Sequence, residues 1–100
     1  MPFPTLHEFL PHVGETFRAI VDEEWEIHLR LSEAAPWRGF TAIEGERVPY
    51  TLLFHAPAEA NVGQRIVRLE HETLAPVDLF IVPLGPDASG MRYEAVVAAG

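Results

Sequence analysis

Nucleophilic catalysis commonly uses cysteine, serine or lysine side chains in particular settings, and this sequence provides few of them. Cysteine and lysine are absent, and all seven basic residues are arginine, which excludes thiolate and amine chemistry as well as disulfides. Ser32 and Ser89 are the serines of the chain, and neither lies in a G-x-S-x-G elbow. Ser89 stands in the segment Gly85-Pro86-Asp87-Ala88-Ser89-Gly90, whose composition is typical of a turn. We therefore predict no catalytic nucleophile.

Metal binding is the next chemistry to consider, because the chain contains five histidines and 15 carboxylates. The segment Glu70-His71-Glu72 contains three potential metal ligands in a row. On a strand, however, His71 faces one side while Glu70 and Glu72 face the other. No H-x-H or H-x3-H spacing places two imidazoles on one element. The sequence therefore predicts no metal site and no bound cofactor. The histidines are His7, His12, His28, His55 and His71.

Paired carboxylates can act as general acid and base when burial separates their pKa values. The densest acidic cluster is Asp22-Glu23-Glu24 with Glu26, but in a hairpin loop these groups face water and instead discourage edge pairing. Glu70 and Asp78 are expected to lie opposite each other with Arg68 diagonal to them, which is typical of a structural charge cluster. These patterns predict that the protein is not an enzyme.

Length and charge limit the classes of partner. The chain has 100 residues, 48% of them apolar, and a net charge of −8, which predicts one folded domain over residues 1–100. The negative charge argues against a nucleic acid or an anionic membrane as partner. No apolar run approaches the roughly 20 residues of a membrane-spanning helix. The start Met1-Pro2-Phe3-Pro4 lacks the basic and apolar regions of a signal peptide, so we expect a cytoplasmic protein.

Alternating apolar residues predict a first β-hairpin in the N-terminal third of the chain. Residues 25–31 alternate apolar and polar side chains, and residues 16–21 can pair with them across the acidic loop. A slip of one residue would turn the apolar side chains to the other face of the sheet. In the register that keeps them on one face, the facing pairs are Phe17 with Leu29, Ala19 with Ile27, and Val21 with Trp25.

Later segments predict more short strands. Residues 64–71 and 77–83 predict a second hairpin. Residues 50–54 predict a strand with apolar side chains on both faces, and residues 91–97 complete the apolar face. Six or seven short strands separated by turns indicate an all-β domain, a small antiparallel barrel or sandwich. The facing pairs predicted for the second hairpin are Val67 with Ile81, Leu69 with Leu79, and His71 with Val77.

A short helix is expected before the strands. Thr5 and Glu8 form a helix-capping pattern, and Pro11 ends the helix after one or two turns. Leu6, Phe9 and Leu10 are expected to pack on the body of the domain. The residues predicted to form the core are Phe17, Trp25, Ile27, Leu29, Leu53, Leu69, Leu79, Ile81 and Tyr93.

The segment 33–49 has weak periodicity and contains Trp37, Arg38 and Phe40 close together. A connection of this length is unusual in a compact domain and often carries function. Trp and Arg are among the residue types most enriched at binding hot spots. We therefore predict a partner-binding surface with Trp37 as apolar anchor, Arg38 as the directional polar contact and Phe40 beside them. In the alternative interpretation, Trp37 and Phe40 fold back and cover an open end of the barrel.

Several phrases of the chain resemble a small bacterial domain family of unknown function, of about this length. The phrases are Val13-Gly14-Glu15-Thr16-Phe17, Tyr50-Thr51-Leu52-Leu53-Phe54 and Arg68-Leu69-Glu70-His71, together with the stretch 79–96, which is the most specific. The resemblance covers most of the sequence. Members of such families tend to occur near genes for phage-type tail or collar proteins, so the resemblance implies a structural or accessory role, and it supplies no catalytic residues.

Three hypotheses for function follow. The first is a non-enzymatic structural or accessory protein that acts by contact with a protein partner or by self-association. The second is a small β-barrel that binds a small ligand or metal, which a deep apolar cavity lined by His55 or His71 would favour. The third is a regulatory or chaperone-like role beside a neighbouring gene product. Because no constellation for chemistry assembles from the sequence, the first hypothesis is preferred.

Overall fold

The computed structural model describes residues 3–41, 43 and 46–98, and the statements below concern these residues. The elements are α1 (Leu6–Phe9), a 3-10 helix (Leu10–His12), β1 (Thr16–Asp22), β2 (Trp25–Pro36), β3 (Tyr50–Ala56), β4 (Arg65–Glu70), β5 (Val77–Asp87) and β6 (Gly90–Val97). The six strands are antiparallel and close into a barrel in the order β1-β2-β3-β6-β5-β4. The all-β prediction with a short N-terminal helix is confirmed, as a barrel of six strands. None of the described helices is long and apolar enough to cross a membrane.

The first hairpin forms in the predicted register along most of its length. Phe17 lies opposite Leu29 and Ala19 lies opposite Ile27, and all four side chains are buried. The polar residues between them face outward, because successive side chains on a strand point to opposite faces. The need to bury one complete face therefore selects this register.

The turn end of this hairpin differs from the prediction, because a β-bulge adds one residue to β1. Asp22 rather than Val21 lies opposite Trp25, so the predicted Val21–Trp25 pair is wrong. Trp25 lies at the rim of the barrel, beyond the last inward pair, and is exposed instead of buried. The guanidinium carbon of Arg65 lies 5.9 Å from the centre of its ring, a cation–π contact at the same rim.

The second hairpin pairs β4 with β5 two residues away from the predicted register. Val67 lies opposite Leu79 and Leu69 lies opposite Val77, where the sequence predicted Ile81 and Leu79 as their partners. A slip of two residues leaves every side chain on the same face of the sheet. The alternation of apolar residues therefore cannot distinguish the two registers.

This two-residue difference between the predicted and the observed register also changes which charged residues pair on the outside of the barrel. Asp78 lies opposite Arg68, not opposite Glu70 as predicted. Glu70 instead lies beside β1, where its carboxylate accepts hydrogen bonds from Arg18 and from Nε of Arg68, the latter at 3.0 Å. Exposed ion pairs of this kind contribute about 0–1 kcal/mol each, so the cluster is a minor contribution to stability.

Apolar side chains from alternate positions on the strands fill the interior. Two residues of the predicted core, Trp25 and Leu53, are not buried. Leu53 is half-buried on the outer face of β3, because Tyr50, Leu52 and Phe54 take the inward positions. Apolar residues on both faces of this strand hide the alternation in the sequence. The predicted core residues that are buried are Phe17, Ile27, Leu29, Leu69, Leu79, Ile81 and Tyr93.

The N-terminal helix begins as the capping pattern predicted. The Thr5 hydroxyl oxygen accepts a hydrogen bond from the Glu8 backbone N–H at 3.3 Å. Leu6 is buried as expected, but Leu10 is exposed, so its predicted packing is wrong. The chain continues from Leu10 as a 3-10 helix, whose tighter turn takes this side chain out of the buried stripe.

Helix α1 closes one end of the barrel, which we call the cap end. Phe9 is fully buried, and its ring centre lies 6.2 Å from that of Phe17 and 5.9 Å from that of Tyr50. These tilted aromatic contacts are the favoured arrangement for buried rings. The helix is thus the lid of the apolar interior at this end.

The connection from β3 to β4 closes the opposite end. Because these strands are not neighbours in the barrel, residues 57–64 cross over this end to join them. Ala60 and Val62 are buried. The Tyr93 hydroxyl holds them by donating a hydrogen bond to the Ala60 carbonyl and accepting one from the Val62 N–H at 3.0 Å. The interior is therefore covered at both ends.

Truncation of the inward-facing leucines tests the register. We expect Leu29→Ala and Leu79→Ala each to lower the free energy of unfolding by about 2–5 kcal/mol, because each leaves a cavity in a packed core. Ile66→Thr is the matched control, since Ile66 is 63% exposed and a surface change costs within about 0.5 kcal/mol. Denaturant unfolding measures all three. A cost below about 0.5 kcal/mol for either leucine would contradict the described faces.

Candidate functional site

The predicted partner-binding residues lie on the connection between β2 and β3, at the cap end of the barrel. The Trp37 N–H donates to the Pro49 carbonyl and the Phe40 N–H donates to the Trp37 carbonyl, both at 3.0 Å. Gly39 has φ of +92°, which a type II turn requires at its third position. Arg38 therefore occupies the tip of a hydrogen-bonded turn that holds the two aromatic residues on either side.

These side chains face solvent. Trp37 is 37% exposed, Phe40 49% and Ile43 50%, and Arg38 is exposed as well. The structure therefore brings together all three residues that the sequence singled out, and adds Ile43. We call residues 37–43 the aromatic loop. Ala42, and Glu44 and Gly45 just beyond the loop, lie outside the described residues.

The base of the aromatic loop is tied to the N-terminal segment. Nη1 of Arg47 donates to the Phe3 carbonyl at 2.8 Å, and the Tyr50 hydroxyl donates to the Pro4 carbonyl. Burial raises the pKa of the Tyr50 hydroxyl far above its usual value, so this group remains a protonated donor. The loop thus stands on a fixed base at the edge of the cap.

A second cluster at the cap end was missed from the sequence. Nδ1 of His12 lies 2.9 Å, and Nε2 of His71 2.8 Å, from the same oxygen of Glu15. The hydrogen bonds from His12, and then from His71, hold the pKa of the Glu15 carboxyl below its usual value. Sequence reasoning considered imidazole pairs within one element, whereas this pair comes from the 3-10 helix and the end of β4. The spacing of His12 and Glu15, three residues apart, was the available signal.

A third polar cluster lies at the opposite end, in the turn between β5 and β6. The backbone N–H and the hydroxyl of Ser89 donate to Oδ1 of Asp87 at 2.8 and 2.7 Å, and Nε2 of His55 lies 3.2 Å from Oδ2. Asp87 thus stands between the serine and the histidine. A Ser–His–Asp triad requires the histidine in the middle position, so this arrangement serves the turn, as predicted for Ser89.

Fold and site together define a small closed six-stranded antiparallel barrel domain with an exposed aromatic loop and a histidine–glutamate cluster at its cap end. The chain belongs to the family described as Domain of unknown function (DUF6916), which matches residues 4–97. The resemblance to a small domain family of unknown function is thereby confirmed at this level. No curated protein and no solved structure matches the chain.

Acid titration tests the role of Asp87 in the turn. Bonds from Ser89, and then from His55, lower the pKa of the Asp87 carboxyl below its usual 3.8. A carboxyl with a lowered folded-state pKa adds stability above the unfolded-state value, and this stability is lost as the pH falls through the folded-state value. We therefore expect Asp87→Asn to have a lower melting temperature than the wild type at pH 5–7. This difference in melting temperature should shrink as the pH falls below about 4.

The matched control is Asp78→Asn, on the outer face of β5. Its melting-temperature difference from the wild type should be smaller than that of Asp87→Asn at pH 5–7. Thermal unfolding followed by circular dichroism from pH 7 to pH 2 measures all three proteins. A gap for Asp87→Asn that is the same at every pH would show that the charge of Asp87 does not hold the turn.

Proposed function

We propose that this domain is a non-enzymatic structural or accessory protein that acts by contact with a protein partner through the aromatic loop. The observation that carries the proposal is the exposure of Trp37, Phe40 and Ile43 on one connection. Large apolar side chains gathered at the surface mark interaction sites more often than scattered ones do. Since α1 already covers the cap end, these side chains are free to bury themselves against another protein.

The chemistry of the loop indicates the chemistry of its partner. Trp37 offers a rigid apolar anchor and Arg38, at the tip of the turn, offers planar directional donors. The domain as a whole carries a net charge of −8, which opposes close approach of a second copy. We therefore propose a different protein as partner, with an apolar pocket for Trp37, a carboxylate or carbonyl for Arg38 and a basic surround.

The setting proposed for this contact is a bacterial assembly of the phage-tail type, as the family resemblance implies. Such assemblies bring accessory domains against large protein surfaces, and a small rigid barrel suits that task. The filled interior of the barrel supports contact over the enclosure of a small ligand. The alternative of metal binding rests on a different observation, the cluster of His12, Glu15 and His71.

Site-specific crosslinking in the native cell tests the proposal. A photo-crosslinking phenylalanine analogue in place of Phe40 should give a discrete crosslinked species, because this ring is expected to face the partner. The same analogue in place of Phe80 is the matched control, since Phe80 is similarly exposed on the outer face of β5. Trp37→Ala with Arg38→Ala should abolish the crosslink from position 40, with a change of less than about 1 kcal/mol in the free energy of unfolding.

Four outcomes would contradict the proposal of a different protein as partner. The crosslink from position 40 could persist in the double variant, or the same species could form from position 80. The double variant could also lose several kcal/mol of stability, which would make the aromatic loop a cover for the barrel. A crosslink of the chain to itself would indicate self-association instead of a different partner protein.

A further inference from the structure

We infer that His12, Glu15 and His71 form a binding site for a divalent transition-metal ion of the zinc type. Two imidazoles and one carboxylate are a ligand set that Zn²⁺ uses in proteins. One ligand atom from each residue lies within 4.8 Å of the other two. The inference is independent of the proposed protein contact, because it rests on other residues.

The three ligand atoms lie close together. Nδ1 of His12 and Nε2 of His71 both lie within 3 Å of the same carboxylate oxygen. With metal–ligand bonds of about 2.0–2.1 Å, the ligands of a tetrahedral ion are about 3.3 Å apart. Each nitrogen is therefore about half an ångström closer to the carboxylate oxygen than in a bound site. Glu15 is 47% exposed and precedes β1, so its side chain has room to move outward.

The two imidazoles are held in place while the carboxylate is free to adjust. The side chain of His71 is 8% exposed and that of His12 17%. The His71 ring centre lies 4.6 Å from that of Phe17 and 4.7 Å from that of His12. A site with fixed nitrogen ligands and one adjustable carboxylate loses little conformational freedom on binding a metal ion.

Thr73 completes the surroundings of His71. An imidazole that binds a metal through Nε2 carries its proton on Nδ1, and that N–H needs an acceptor. In the structure Nδ1 of His71 accepts a hydrogen bond from the Thr73 backbone N–H at 3.2 Å, and the Thr73 hydroxyl lies 3.1 Å from the same atom. Once Nδ1 carries the proton, the hydroxyl can accept its hydrogen bond, and the Thr73 backbone N–H loses this acceptor. On metal binding the proton of neutral His71 moves from Nε2 to Nδ1, and that of neutral His12 moves from Nδ1 to Nε2. Thr73 is therefore a positioning residue for the site.

A bound ion would join three parts of the chain at the cap end. His12 ends the 3-10 helix, Glu15 precedes β1 and His71 follows β4. Three protein ligands leave at least one coordination position for water. An open groove of about 520 Å³, lined in part by His71, Thr16 and Arg18, lies beside the cluster. The expected effect of the ion is to stabilise the cap against the barrel.

Zinc titration of chelator-treated protein tests the inference. We expect saturable binding of one Zn²⁺ per chain, a rise in melting temperature with Zn²⁺ concentration, and a visible absorption band with Co²⁺ that marks a low-coordinate site. His12→Ala and Glu15→Gln should each weaken Zn²⁺ binding by at least about 100-fold, and Thr73→Val by about tenfold. These side chains lie at the surface or its edge, so the variants keep the core residues intact.

The matched control is His28→Ala. The imidazole of His28 also contacts a carboxylate, that of Glu26 at 3.3 Å, but it lies on the outer face of the barrel, and among the described residues no second histidine bonds to that carboxylate. Zn²⁺ affinity should be unchanged in this variant. The inference is overturned if the wild type shows no saturable binding at one ion per chain. It is equally overturned if His12→Ala and Glu15→Gln bind as the wild type does, or if His28→Ala loses the binding.

Discussion

The hydrogen-bonded seam between β1 and β4 closes the barrel, and most of the other features depend on it. Arg18, Ala19 and Ile20 pair with Glu70, Leu69 and Arg68, which makes this the shortest pairing described. Without it the sheet would be open and the inward residues of both strands would face water. Closure turns one apolar face into a core, and it also creates two ends that must be covered.

The seam also explains why the histidine–glutamate cluster forms. Because β1 and β4 run antiparallel, the residues just before β1 lie beside those just after β4. Glu15 and His71 are therefore neighbours, although 56 positions separate them in the sequence. The 3-10 helix then places His12 above both. The cluster is thus a consequence of strand pairing, which brings His71 beside the distant segment that contains His12 and Glu15.

Local patterns in the sequence predicted which residues face inward, but they predicted less accurately which residues lie opposite each other on neighbouring strands. Alternation predicted the Phe17–Leu29 pair, and Thr5 with Glu8 predicted the start of α1, because these patterns depend on near neighbours. The register of β4 against β5 was wrong by two residues, since that slip conserves the buried face. Trp25 was misplaced because no local pattern indicates a bulge.

The aromatic loop and the histidine–glutamate cluster show what residue types and spacing can predict and what they cannot. Residue types alone singled out Trp37, Arg38 and Phe40, and the structure gathers them at one turn. The site of His12, Glu15 and His71 was beyond reach, because it requires knowledge of the β1–β4 pairing. Long-range pairings of this kind carry no signature in the spacing of any single segment. Sequence therefore predicted the surface loop and missed the cluster at the same end of the barrel.

Closure of the barrel has a consequence for how another chain can recognise this domain. Each of the six described strands already has a hydrogen-bonded neighbour on both sides, so the backbone of these strands offers no edge for strand addition. Recognition must then depend on side chains and on the backbone of the connections. Substitutions at exposed positions of the connections can therefore change the surface that the domain presents while the pairing of the six strands stays the same.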